Sequence, residues 1–254
     1  MNTRSKFPST EEVVAMIKRS HWPTLVVEGS SDQTFYQSVE KKSKQTTIDF
    51  IAVGGKRAVL AIYKKRHEFK VPVVFVADRD VWVFFRKPKG LEELVVTNGY
   101  SIENDILNET QIRQGLSSAG ISYLDNMKEP LSNWFAYQVG CCKNGQKYSF
   151  RCSITGLVDE QFHLTKGILG DNPVIDDKIL TDITSHWWKK FRGKTLLDLC
   201  FRATRKDPKH ARITKKEYIH NVMLLPDSPA RITLERTIIQ RFRKAKKMLS
   251  NPLN

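Results

Sequence analysis

The chain has 254 residues, of which 40% are hydrophobic and 27% charged, a balance that excludes disordered and fibrous classes and allows one large domain or two modest ones. No apolar run approaches the roughly 18–20 residues needed to cross a bilayer, and the opening "MNTRSKFPSTEEVVAMIKRS" lacks a signal-peptide core, so a cytoplasmic protein is expected. The net charge of +15 is concentrated at one end: from His186 to Asn254 there are 18 Lys/Arg against 5 Asp/Glu. That distribution calls for a polyanionic partner or a broad solvated helical face.

In chain order, "STEEVVAMIKRS" reads as a helix capped by Ser9 or Thr10, with acids in its first turn and Val13, Met16 and Ile17 on one face. "TLVVEG" (24–29) is a short strand, and "SSDQTFYQSVEKK" a helix capped by Ser30 or Ser31 with Phe35 and Val39 at i, i+4. "TTIDFIAVGG" (46–55) is a second strand ending in a glycine pair, followed by a helix, "KRAVLAIYKKRHEF", turning Ala58, Ile62 and Tyr63 inward. "VPVVFVAD" is a third strand, and "LEELVVTNGYSIEND" holds a fourth strand, a turn at Asn98-Gly99 and a helix start. Further on, "NWFAYQVGCCKNGQKYSF" reads as a hairpin about Asn144-Gly145. Two basic helices follow, the second, "SPARITLERTIIQRFRKAKKML", with Ile232, Ile239, Phe242 and Leu249 among its apolar positions.

Strands alternating with helices predict βαβ units and a parallel sheet in residues 1–130, followed by a basic, mostly helical region in residues 131–254. Ligands of such sheets bind at the carboxyl ends of the strands. Glu28, Gly54-Gly55 and the Asp78-Arg79-Asp80 stretch would all lie there, with Glu103 and Asp105 just beyond the fourth strand. In extended backbone Asp78 and Asp80 would point the same way and repel, a conflict that a divalent cation would resolve.

Several readings compete at this point. One reading is that the acids at strand ends are simply solvated; three successive chemically special ends argue against it. A phosphatase of the haloacid dehalogenase type also uses Asp-x-Asp after an apolar strand. It usually does so on the first strand with Thr or Val two places later, where this chain has Trp82, and it leaves Glu28 unexplained. The ordered set "VEGSSDQTFY", "VGGKRAVL", "FVADRDVW" and "NGYSIEND" resembles the Toprim domain of topoisomerases, primases and OLD-type nucleases. Within it, the four segments together resemble the Toprim-like family that includes the effector of the PARIS anti-phage system. The resemblance spans about Leu25 to Leu107, with a weaker echo at "FRGKTLLDL".

That resemblance implies a Toprim-type parallel-sheet domain and a Mg²⁺-dependent nuclease, with Mn²⁺ as the substitute ion. Glu28, Asp78 and Asp80 would be catalytic, and Glu28, Asp32, Asp78, Asp80 and Glu103 would form the metal set. Carboxylate oxygens suit so hard an ion. It further implies cleavage of RNA, tRNA in particular, a toxic role in abortive infection, and restraint by an ABC-type ATPase, with a homodimer as one active form. A topoisomerase or primase would need modules that the chain does not display. From the residues themselves, Lys56 after the glycine pair either meets a phosphate or opens a helix at the surface. Arg241, Arg243, Lys244, Lys246 and Lys247 would line the substrate groove. A nucleic-acid-binding regulatory subunit with a silent site is the alternative of another class. Cys141, Cys142, Cys152 and His163 are a weak zinc set, because adjacent cysteines rarely chelate one tetrahedral ion, and Trp187-Trp188 beside Lys189-Lys190 is a candidate base-stacking pair.

Overall fold

The computed structural model describes residues 7–30, 33–43, 47–170 and 173–250. The elements in order are α1 (Thr10–Arg19), β1 (Thr24–Val27), α2 (Gln33–Ser43), β2 (Asp49–Ala52), α3 (Lys56–Lys64), β3 (Val73–Ala77), β4 (Val95–Val96), α4 (Ile102–Ile106), α5 (Glu109–Gln114) and α6 (Ser118–Lys143). There follow α7 (Ile154–Leu157), α8 (Asp177–Ser185), α9 (Trp187–Lys190), α10 (Gly193–Thr204), α11 (Lys215–Leu224) and α12 (Pro229–Ser250). Two compact units result: Met1–Arg79 with Lys87–Thr97 and Pro229–Asn254, and Asp80–Arg86 with Asn98–Ser228. This differs from a boundary near residue 130. The reason is that α12 packs on α2, β3 and β4 and so belongs with the sheet, although most of the chain lies between them in sequence.

The first unit is an α/β structure around a parallel sheet of order β2-β1-β3-β4. Every residue of β1 is buried, as is β3 from Val74 to Ala77, which fits the continuous apolar runs of strands covered on both faces. Helix α1 starts as its sequence predicts. The Ser9 hydroxyl accepts from the Glu12 amide at 3.2 Å and the Glu12 carboxylate accepts from the Ser9 amide at 2.7 Å. Its buried face, however, is Val13, Val14 and Ile17, while Met16 is 52% exposed. On α3 the inward set is Val59, Ile62 and Tyr63 rather than Ala58, and the Tyr63 ring meets Phe75 of β3 edge-on at 5.3 Å. On α12 it is Leu234, Ile238 and Phe242, whereas Ile232 and Leu249 are exposed. On each helix part of the expected stripe is buried (Val13 and Ile17, Ile62 and Tyr63, Phe242), and packing against the neighbouring element chooses the other members.

The second unit is helical around an aromatic core. Phe135 of α6 meets Phe191 at 4.9 Å, Phe150 at 5.2 Å and Tyr100 at 5.8 Å. Trp187 stacks on Phe191 at 4.1 Å and is buried, which commits it to the core rather than to a base. The expected hairpin is instead the end of α6. Leu131, Trp134, Phe135 and Val139 fall on one helical face and are buried. The Gly145 amide then donates to Cys142 O and the Gln146 amide to Cys141 O, the bond pair of a helix stop with glycine in the left-handed conformation (φ +67°). Asn-Gly supplies left-handed backbone to a hairpin and to a helix terminus alike, so the dipeptide alone does not choose between them. Among the described residues no helix is long and apolar enough to cross a membrane.

Candidate functional site

The order β2-β1-β3-β4 places the topological switch between β1 and β3, because the chain leaves β1 to one side for β2 and returns to its other side for β3. The carboxyl ends of two such strands diverge into loops that leave a crevice. Glu28 follows β1 and Asp78 follows β3. They are brought together: Glu28 Oε1 accepts a hydrogen bond from the Asp78 amide at 2.8 Å. Both residues are half-buried. From the third strand end, the Gly54 amide donates to Glu28 O at 2.8 Å and extends the β1–β2 ladder by one bond. Gly54 and Gly55 turn the chain with φ +87° and +142°, and a Cβ on Gly54 would come within 2.8 Å of the Phe7 ring. Glycine at residue 54 is therefore required by both conformation and space.

The peptide after Asp78 is fixed on two sides. The Arg79 amide donates to Thr97 Oγ1 at 2.9 Å, and Arg79 O accepts from Lys56 Nζ at 3.2 Å. Lys56 is the first residue of α3, where the helix dipole disfavours a cation. Its bond to Arg79 O shows that this ammonium turns toward the loop carrying the acids. Thr97 is fully buried and its own amide donates to Ala77 O at 3.2 Å. Sequence reasoning missed Thr97 because only the pairing of β3 with β4 brings it to the loop.

Asp80 opens the second unit and a short 3₁₀ turn that runs to Val83. Its φ is +49°, and its amide donates to Tyr100 O at 2.6 Å. The expectation that Asp78 and Asp80 share one side of an extended strand is thus overturned, because β3 ends at Ala77 and the backbone at Asp80 is left-handed. A non-glycine residue held there stores of order 1 kcal/mol, a kind of strain that clusters at functional loops. Glu103 and Asp105 lie on α4 of the second unit. Glu103 accepts from Ser101 Oγ at 2.6 Å. Asp105 is fully buried and accepts from the amides of Asn98 and Gly99, each at 2.7 Å, which is a structural duty. Asn104, between them, is buried and donates to Trp188 O at 2.8 Å and Phe191 O at 2.9 Å. These bonds tie the "SIEN" segment to the start of "FRGKT". Asp32 lies outside the described residues.

The chain matches no protein-family model and no curated protein. The chemistry of the donors therefore has to speak for itself. Glu28 and Asp78 are hard oxygen donors at adjacent strand ends, a combination that fits a Mg²⁺ ion keeping several of its waters. Among the described residues no group of three or more His, Cys, Asp or Glu could hold an ion by itself, and this includes Cys141, Cys142, Cys152 and His163. Burial also pushes the Cys152 thiol up to about 11, so that it is no ready thiolate.

The basic cluster lies elsewhere. Helix α12 begins beside α2, where Arg231 sits over the Phe35 ring at 5.6 Å and Glu235 accepts from Ser38 Oγ at 2.6 Å. Its next turns reach the residues that precede β4, and Arg241 Nη2 donates to Glu92 O at 2.5 Å. Arg241 and Lys244 then line a cavity with Val71 and Val73, at the amino end of β3. Arg243, Lys246 and Lys247 are exposed on the same turns. Thus the structure does not bring these five cations to Glu28 and Asp78: the two sets lie at opposite ends of the sheet. The apolar face of α12 dictates this, since seating Leu234, Ile238 and Phe242 aims the charged turns away from the strand carboxyl ends.

Proposed function

We propose that this chain is a Mg²⁺-dependent nuclease of the Toprim type, resembling AriB, the effector of the PARIS system. In this reading it acts as a toxic effector of anti-phage defence, cleaves RNA such as tRNA, and is held inactive by an ABC-type ATPase. The observation that carries the reading is the bond from the Asp78 amide to Glu28 Oε1 across the switch point of a parallel sheet. Glu28 and Asp78 would hold the ion; the third acid expected from the sequence, Asp80, opens the second unit. When bound, such an ion stabilises charge on a phosphate oxygen and lowers the pKa of a coordinated water.

The chain's own residues supply the remainder. Glu28, oriented by the Asp78 amide, takes the proton from the attacking water and returns one to the leaving oxygen. Lys56, held on Arg79 O, sets a positive charge beside the loop where an anionic substrate would sit. Thr97 acts as a positioning residue through the Arg79 amide.

The test is cleavage of end-labelled tRNA by the full chain in Mg²⁺, in Mn²⁺ and in EDTA, with RNA ends sequenced after induced expression in cells. Glu28→Gln keeps the Oε1 acceptor but removes the base, and is expected to lower cleavage at least ~100-fold. Undiminished cleavage in EDTA, or by Glu28→Gln, would remove the reading. A second reading, a catalytically silent nucleic-acid-binding subunit, is favoured by the lack of a three-residue metal group among the described residues. It predicts tRNA binding without cleavage in any metal.

A further inference from the structure

At the amino end of the sheet the first unit contains a cavity of about 480 Å³. Its apolar wall is aliphatic where it is open, with Met248 57% and Leu249 40% exposed, whereas Tyr63 and Phe69 in the same wall are buried. Two basic runs that are remote in sequence flank it: Lys64-Lys65-Arg66-His67 at the end of α3, and Arg241 to Lys247 on α12. Arg66 is paired with Glu93 at 3.2 Å, and Glu68 is paired with Lys18 at 2.5 Å. The acids of the rim are therefore matched, and cations remain in excess.

The same cavity is lined by Val73, Val74 and Phe75 in succession, which means that it runs along the strand rather than over one face of it. The register explains why. Pro72 O accepts from the Thr24 amide and so faces β1, and Ala77 O accepts from the Thr97 amide and so faces β4. By alternation the backbone groups of Val73 and Phe75 face the β4 side, where the register engages Phe75 O with the Val95 amide and leaves the Val73 groups ahead of β4. There β4 is only two residues long and is paired with Val76 and Ala77. Among the described residues, the first half of β3 has no strand beside it on that side.

We propose that this groove binds an extended acidic peptide segment of a partner protein. Its main chain lies along the first half of β3, an aliphatic side chain enters against Met248 and Leu249, and its carboxylates face Lys244 and the flanking cations. A main-chain edge pairs with polypeptide and not with nucleotides. The open wall offers thioether and aliphatic surface, which accepts varied side chains; His67 is an exposed ring of the lining, and a single-stranded DNA control tests stacking on it. Charge complementarity selects an acidic sequence. The inference does not rest on the nuclease reading, because Glu28 and Asp78 lie at the other end of the strands.

The experiment measures fluorescence anisotropy of labelled peptides with the full chain at low salt. The probe is an octapeptide of alternating glutamate and leucine. Its controls are a glutamate–serine octapeptide, a backbone N-methylated glutamate–leucine copy, and a single-stranded DNA octamer. The glutamate–leucine peptide is expected to bind at least fivefold more tightly than either peptide control. Met248→Asp and Lys244→Glu, at exposed positions, should each weaken it at least fivefold while the thermal unfolding midpoint stays unchanged. Arg212→Glu, in the second unit, should leave binding as it is. Equal binding of the glutamate–serine or N-methylated peptide would overturn the proposal. So would indifference to both groove variants, or a DNA octamer that binds more tightly than the peptide and loses affinity in those same variants.

Discussion

At the carboxyl end of the sheet, Glu28, Gly54, Lys56, Asp78 and Thr97 form a small network in which nearly every contact runs through backbone amides or carbonyls. At the amino end, Arg66, Arg241 and Lys244 surround an aliphatic groove, and the paired acids are at its rim. The first end is fixed by hydrogen bonds to main chain and changes little if a single side chain is exchanged for one of like shape. The second end depends on where α12 lies. Charged groups of opposite sign are therefore held apart by a strand length, and they would recognise different things. As proposed above, the carboxyl end would take a cation and a phosphate, and the amino end an acidic peptide.

The largest effect is expected from Phe242→Ala. This fully buried ring anchors the half of α12 that carries the amino-end cations, so its removal should cost about 3–5 kcal/mol in urea unfolding. Peptide binding at the groove should weaken with it. A loss below about 1 kcal/mol would mean that α12 is not seated on the sheet in solution, and the contrast between the two ends would dissolve.

A middle-sized effect tests the carboxyl-end loop. With φ +49° at Asp80, Asp80→Gly removes the carboxylate without forbidding the backbone, whereas Asp80→Ala must hold a left-handed alanine. The glycine variant should be the more stable of the two by about 1 kcal/mol, with Asp80→Asn close to the parent. An alanine variant equal to or more stable than the glycine variant would show that Asp80 is extended in solution and would restore the alternative in which both acids share one side.

The smallest effect belongs to the amino-end acids. The side-chain bond from Lys18 holds the Glu68 carboxyl below its ordinary 4.5, and backbone amides of Glu92 and Gly90 do the same for Glu92. Because the folded-state pKa values are lowered, the stability that these groups add is present above pH 4.5 and is lost as the pH falls through the lowered values. Both are exposed, so the contribution is small and screened by salt. The thermal midpoint should decline on acidification below pH 4.5, and Glu68→Gln should make that decline shallower at low ionic strength. Parallel profiles for the variant and the parent would separate Glu68 from the acid response.

Much of the sheet unit could be read in one dimension. The apolar runs of β1 and β3, the Ser9 cap and the Gly-Gly turn each carry a local rule that tertiary packing has no cause to override. The acids at two strand ends followed from strand order alone. Other features had two local solutions. Asn144-Gly145 fits a hairpin or a helix stop, and the choice fell to the apolar face from Leu131 to Val139. On α1 and α12, Met16 and Ile239 compete with Val14 and Ile238 for the same stripe, and the rotation of the helix about its axis is settled by the neighbour rather than by the pattern.

What the sequence by itself determined is the alternation of strand and helix, the parallel sheet, and the identity of the residues at its carboxyl end, because period and turn chemistry are local. Only the tertiary structure decided that Glu28 bonds to the Asp78 amide, that Asp80 is left-handed, and that Thr97 supports the loop. It alone brought α12 (from Pro229) back to a sheet whose last strand ends at Val96, and turned its cations to the amino end. These outcomes rest on long-range packing and strand register, in which each residue's partner is set by closure of the whole unit and not by its neighbours in the chain.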